Sequence, residues 1–359
     1  MTYSQSGITV IHRVPKSKDS PYGANVIKSV PIDKPAFIVL GGELTSDLRG
    51  ANSYAKRLQI LLYENNIPTV DVYSVAYQFG SRHPGLERKS LFKTARRKIE
   101  NFTTPITRDK FAKISDNMQR NEPTPNYIKQ LFNILVRPRI VDGMNKPFNV
   151  AVAVKNVSKM KIYAHCHGAA AVWQLANYMY DEMKKLGFDE KDIKKIQSGL
   201  LVIQHSPIAP LVNQRFFTIS FASAEDSMMQ HHNNYISEWM GKNSGDIVPA
   251  FFDSKYGNFF VAGRLKELAF KEHDYIGLLP SDEELWPLTD DGKIIFAAER
   301  NAIVRAANDA VHGVTTHSVR DLTNGNGVDF DALKNSGDML YKIMIKDLRQ
   351  QIPKPDRQK

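Results

Sequence analysis

The chain has 359 residues, of which 42% are hydrophobic and 24% charged, a composition that supplies the core of one large α/β domain and excludes global disorder. The net charge of +10 and pI of about 9.4 suit a solvated basic surface, or contact with nucleic acid, anionic lipid or an acidic partner. The single cysteine excludes an intrachain disulfide, no apolar run is long enough to span a bilayer, and Met1 to Lys18 lacks the apolar core of a Sec signal. The expectation is a cytoplasmic protein, with export through another kind of signal left open.

Residues 1–30 are polar and turn-rich, with Pro15, Pro21 and Gly23, and read as a loose arm or an edge hairpin. Ala36 to Leu40 (AFIVL) is a short apolar run closed by Gly41-Gly42, the pattern of a fully buried strand. Helical spacing follows over 46–65 in Leu48, Tyr54, Leu58, Leu61 and Leu62, and Asn65-Asn66 with Pro68 stops it. Thr69 to Tyr77 is a second strand. Strand, helix, strand at this spacing is a βαβ unit and implies a parallel sheet.

Residues 80–148 interrupt that rhythm. Between Arg82 and Lys110 there are nine Lys/Arg against three Asp/Glu. The stretch reads as one or two helices, Leu91 to Asn101 and Tyr127 to Val136, within a basic insertion, either a lid or a solvated helical face. The sheet pattern returns at Lys161 to Ala164, with a helix from Gly168 to Leu186 capped by Gly187. Gly199 to Gln204 and Phe216 to Ser223 are further strands, and Glu299 to Val311 is helical, ending at Gly313. The domain so defined runs over 31–350, between the N-terminal arm and a polar tail at 351–359.

The segment richest in chemistry is Ile162-Tyr163-Ala164-His165-Cys166-His167-Gly168-Ala169-Ala170. A β-branched and aromatic strand runs into small residues and then into an Ala-rich helix, with a nucleophilic side chain at the junction. A chain that reverses within so few residues needs small neighbours two before and two after the nucleophile. Ala164 and Gly168 stand there. A thiol reacts as its thiolate, and a helix N-terminus favours that anion. The backbone N–H of His167 is one candidate oxyanion donor, and Gly42, after the AFIVL strand, supplies another.

These residues resemble the nucleophile elbow of the α/β-hydrolase superfamily, Gly-x-Ser-x-Gly in its serine members, over a loose span from about 36 to 320. Ala164-His165-Cys166-His167-Gly168 departs at two positions, Ala for the first Gly and Cys for Ser. The cysteine variant is similar to that of the dienelactone hydrolases and polyhydroxyalkanoate synthases. The resemblance implies an α/β-hydrolase-like fold, a mostly parallel sheet flanked by helices, and a Cys-His-Asp triad acting on an ester, thioester or amide carbonyl.

The superfamily's chain order of nucleophile, acid, histidine leaves two acids open. Asp226 follows the FFTISFAS strand. Asp246, in Gly245-Asp246-Ile247-Val248-Pro249, resembles the segment around the acid of fungal-type lipases. For the histidine, His317 in Thr315-Thr316-His317-Ser318 is favoured over His312, which suits a helix C-terminus, and over His273, which reads as solvent-facing. His165 and His167 flank Cys166 and, with His205, invite a metal reading. Three consecutive ligands on one ion strain the backbone, so neither metal nor cofactor is expected, and His231-His232 reads as a surface pair. The partner expected is a small acyl or lipid substrate. The alternative is a non-catalytic protein of the same fold that binds anionic membrane or nucleic acid through 82–110.

Overall fold

The computed structural model describes residues 8–14, 23–42, 51, 55, 58–59, 61–63, 65–67, 69–77, 124–207, 214–223, 247–248, 258–262 and 290–315. Nine strands form one mixed sheet: β1 (Thr9–Val14), β2 (Gly23–Ile27), β3 (Ala36–Leu40), β4 (Asp71–Ala76), β5 (Met160–Cys166), β6 (Leu201–Pro207), β7 (Phe217–Ser223), β8 (Ile247–Val248) and β9 (Asn258–Ala262). Their spatial order is β2-β1-β4-β3-β5-β6-β7-β9-β8. The six strands from β4 to β9 in that order are parallel. The β1–β2 hairpin adds antiparallel to β4, and β8 adds antiparallel to β9. The α/β class expected from the sequence is therefore present, and β1 and β2 form an antiparallel pair at one edge of the sheet.

The helices are α1 (Asn126–Leu131), which continues through a π-helical stretch (Phe132–Val136) into α2 (Arg137–Ile140), then α3 (Val150–Ser158), α4 (His167–Lys185), α5 (Glu190–Ser198) and α6 (Asp290–His312). Described residues between 51 and 63 are also helical. The central strands read as unbroken apolar runs because helices cover both faces. One face packs Ile38, Leu40, Ile162, Ala164 and Val202 against α1 to α5. The other packs Phe37, Val39, Leu201 and Ile203 against the 51–63 helix and Ala302, Ile303, Ala306 and Ala307 of α6. Burying each large aliphatic side chain here stabilises the fold by about 1.5–3 kcal/mol.

The helix expected over Tyr127 to Val136 exists and continues to Ile140. Its Ile128, Leu131, Phe132, Leu135 and Ile140 are fully or almost fully buried in the core. This helix is thus part of the body of the domain, while the expected helix at 91–101 and the basic stretch 82–110 lie outside the described residues. Arg139 is completely buried and donates to the carbonyls of Pro31, Ile32 and Asn156. It ties α2 and α3 to the segment that enters β3. Burial lowers its guanidinium to about 10, and the three carbonyls replace the water it has lost.

Candidate functional site

The strand order fixes where the two halves of the sheet diverge. From β3 the chain moves outward to β4. From β5 it moves the other way, to β6 and β7. The crossover after β3 uses the 51–63 helix on one face, and the crossover after β5 uses α4 on the opposite face. The carboxyl ends of β3 and β5 therefore border the topological switch point, the position where open α/β sheets bind ligands.

Cys166 and Gly42 both stand at that point. Cys166 is the last residue of β5, and His167 is the first of α4, with no residue between the elements. The β5–β6 register slips between His165 and Cys166: His165 pairs with His205, and Cys166 pairs with Pro207. A strand that passes straight into a helix must bend sharply at this step, and the slip marks the bend. Gly168 explains why the turn fits. A Cβ built there would collide with the Leu40 carbonyl oxygen and lie 2.9 Å from the Leu40 carbonyl carbon and 3.1 Å from the Gly41 oxygen. The first turn of α4 thus packs directly on the backbone that leaves β3, where Gly41 and Gly42 are buried. Tyr77 secures the same loop by donating its hydroxyl to the Gly41 carbonyl at 2.7 Å. Ala164, Ala169, Ala170 and Ala171 are fully buried around this contact.

His167 is fully buried at the start of α4. Its backbone N–H belongs to the first helical turn. Of the other expected site residues, Asp226, Asp246 and His317 lie outside the described residues, as do His231, His232 and His273. Among the described residues, no three His, Cys, Asp or Glu are grouped to hold a metal. No described helix is long and apolar enough to cross a membrane.

A polar stripe lies behind the elbow on the face of β5 that meets α6. Lys161, Tyr163 and His165 alternate along the strand, as period-two geometry requires, while Ile162 and Ala164 face the opposite core. Tyr163 and Lys161 have charged company. Glu299 of α6 is completely buried and accepts from the Tyr163 hydroxyl at 3.0 Å. It also faces His205 Nδ1, which lies 2.9 Å from Oε2 and 3.1 Å from Oε1. A ring nitrogen against two carboxylate oxygens is a donor, so Nδ1 carries a proton. The His205 ring in turn lies beside the His165 ring, centroids 5.6 Å apart. Further along the strand, burial lowers the Lys161 ammonium to about 8, with the nearby charge of Asp309 pulling it back upward. Asp309 itself is held by Arg305 at 3.3 Å.

Sequence reasoning grouped His165 with His205 only in a metal reading that it set aside, and passed over Glu299, Tyr163 and Lys161. The legible signal was Lys161-x-Tyr163-x-His165, polar residues at every second position of a strand that is otherwise apolar. Glu299 gave no such signal, because a glutamate in a helix is ordinarily solvated. α6 brings it inward through a stripe of small residues, Ala302, Ala306, Ala307 and Ala310, all buried, which lets the helix approach the sheet closely. No protein-family model matches the chain, and no curated protein sequence matches it either.

Proposed function

We propose that this protein is an α/β-hydrolase-like enzyme in which Cys166 attacks an ester, thioester or amide carbonyl. The observation that carries the reading is the direct β5-to-α4 junction at Cys166, beside the topological switch point and packed on the β3 exit through Gly168. This is the arrangement a nucleophile elbow requires, with the next residue's N–H and an N–H from the loop after the third strand serving as the oxyanion hole. His167 and Gly42 occupy those two positions in the chain. The parallel core of the sheet with an antiparallel hairpin at its edge supports the same fold.

In the proposed reaction Cys166 forms an acyl-thioester, and the leaving group departs with a proton from a histidine, for which His317 is the candidate. Asp226 or Asp246 orients that imidazole. Water or a second nucleophile then releases the acyl group and regenerates the thiol. The cysteine in place of serine favours thioester exchange, because attack of its thiolate on a thioester forms a second thioester of comparable energy and releases a second thiolate.

The test is labelling of the folded protein with iodoacetamide at neutral pH, alongside hydrolysis of p-nitrophenyl acetate and of a short acyl thioester. An activated Cys166 labels well faster than a free thiol, and Cys166→Ala abolishes turnover. A labelling rate no faster than that of a free thiol, with turnover intact in Cys166→Ala, overturns the proposal and leaves the basic stretch 82–110 as the part to assay, by salt-dependent binding to nucleic acid and to anionic vesicles.

A further inference from the structure

We infer that Tyr77 is a positioning residue of the oxyanion hole: its hydroxyl anchors the Gly41 carbonyl and thereby aims the N–H of the same peptide, that of Gly42, toward the elbow. The inference rests on the reading of Cys166 as a nucleophile and adds the residue that fixes one of its oxyanion donors. The Tyr77 hydroxyl donates to the Gly41 oxygen at 2.7 Å in a buried contact. The same oxygen lies 3.1 Å from where a Cβ on Gly168 would stand. The Gly41 carbonyl is thus held on the inner side of its loop, between a core phenol and the first turn of α4. A trans peptide is planar, with its carbonyl and its N–H pointing in opposite directions, and no described peptide bond is cis. A carbonyl turned inward therefore turns the Gly42 N–H outward, toward the carboxyl edge of the sheet. The first-turn N–H groups of α4 point to that edge as well. The helix begins there and must return the chain toward the start of β6, which is parallel to β5. Gly42 from β3 and His167 from α4 so present their amides to one region, as stabilisation of an oxyanion requires.

The sequence explains why an anchor is needed. Glycine stands on both sides of the Gly41–Gly42 peptide, which leaves it the least steric resistance to turning over. A hydrogen bond to its carbonyl selects one of the two orientations. Tyr77 is well placed to supply it, because it is itself immobilised. It follows directly on β4, where Val75 pairs with Leu40 at the end of β3. Its ring belongs to the core on the α1–α5 face and is 1% exposed. That ring stacks on Tyr127 of α1, with centroids 5.3 Å apart and planes at 29°. The Tyr127 hydroxyl in turn lies 3.4 Å from Gln174 Oε1 on α4. A donor whose own rotamer is locked by packing holds its acceptor more narrowly than a loop side chain does. The role assigned to Tyr77 is specific to carbonyl substrates, whose reaction passes through a tetrahedral oxyanion.

That specificity provides the test. Tyr77→Phe keeps the stacked ring and removes the anchor. Acyl transfer builds an oxyanion in both of its halves, whereas iodoacetamide loses iodide from a saturated carbon and builds none. In Tyr77→Phe, kcat for a short acyl thioester is expected to fall about tenfold or more, toward the roughly 100- to 1,000-fold that loss of one oxyanion donor costs, with KM within about twofold. The iodoacetamide labelling rate of Cys166 is expected to stay at the wild-type value. Unchanged turnover overturns the inference. A labelling rate that falls in step with turnover marks a disturbance of the whole elbow and overturns it too. If Tyr77→Phe does not fold, the wild-type protein decides by NMR with a short-chain aldehyde. The Cys166 sulfur bonds to the aldehyde carbon, and the carbonyl electron pair passes to the oxygen. The amide protons of Gly42 and His167 are both expected to move downfield. A Gly42 signal that stays in place while that of His167 moves removes this inference alone. Wild-type protein that shows no turnover, labels at the free-thiol rate and moves neither signal removes the nucleophile reading as well.

Discussion

Gly168 and Lys161 illustrate how single residues near the elbow constrain the protein in opposite ways. Gly168 is required by backbone that cannot yield, since the atoms a Cβ would meet are the carbonyls of Leu40 and Gly41. Gly168→Ala is expected to cost about 1–3 kcal/mol, the usual range for overpacking a tight contact, read as a lower urea midpoint at unchanged m-value. Lys161 is a charge that the fold tolerates at a cost. Burial lowers its ammonium to about 8 in the folded state, against about 10.4 in an unfolded chain. Below pH 8 both states hold the proton, and burial of the charge weighs against folding. Between about pH 8 and 10 the folded state sheds its proton first, so the unfolded state binds more protons and stability rises with pH. The full difference corresponds to about 3 kcal/mol at most. Denaturant midpoints measured through that window are expected to climb in wild type and to stay flatter in Lys161→Met; parallel slopes in the two proteins would refute the assignment. The elbow's need for small neighbours was legible from Ala164 and Gly168 alone. The burial of Lys161 was not, because a lysine in a strand is ordinarily at an edge or facing water, and only the arrival of Asp309 on α6 makes its position tenable.

The elements follow local rules that a sequence displays, and where they went unread the cause is equally local. β3, β5, β6 and β7 are apolar runs bounded by turn residues, and the structure has them within two or three residues of the expected bounds. Helix α4 ends where Gly187 adopts φ of +89°, as its position after Leu186 implied. Helices α3 and α5 were missed because each is only nine residues long, but both have caps that identify them in retrospect. Asn149 accepts from Val152 N at 2.9 Å and Asp189 from Asp192 N at 2.7 Å. Asn149→Ala and Asp189→Ala are each expected to lower stability by about 1 kcal/mol, measured as a shift in urea midpoint, with Asp189→Asn retaining most of the effect. Arg139 operates on a larger scale. Replacing it with Met leaves the carbonyls of Pro31, Ile32 and Asn156 short of a donor in the interior, so Arg139→Met is expected to destabilise by more than either cap loss. A midpoint equal to wild type would mean that water reaches those carbonyls.

At the scale of the whole molecule, the parallel sheet with its switch point between β3 and β5 was inferable from the βαβ rhythm, and it brings Gly42 and Cys166 to one edge from distant parts of the chain. What the rhythm did not disclose is how the two faces differ. One is an apolar interface with α1 to α5, and the other carries the stripe of Lys161, Tyr163 and His165 beneath α6. That asymmetry makes α6 an adaptor between the last part of the chain and the elbow. Truncation just before α6 is expected to remove Glu299 and Asp309 together and to expose the apolar surface of Ile203 and Phe221, which dye binding would detect.

The pairing of β3 with β5 also has a consequence for synthesis on the ribosome. Ala36 is hydrogen-bonded in register with Met160, so the central strand of the sheet emerges roughly 120 residues after its neighbour. At about 5–20 residues per second the wait is about 6–24 s. During that time β3 and β4 present an unpaired apolar edge. The nascent chain should therefore be a substrate for holding chaperones until β5 is released, and its vulnerability should end abruptly once Cys166 has cleared the exit tunnel.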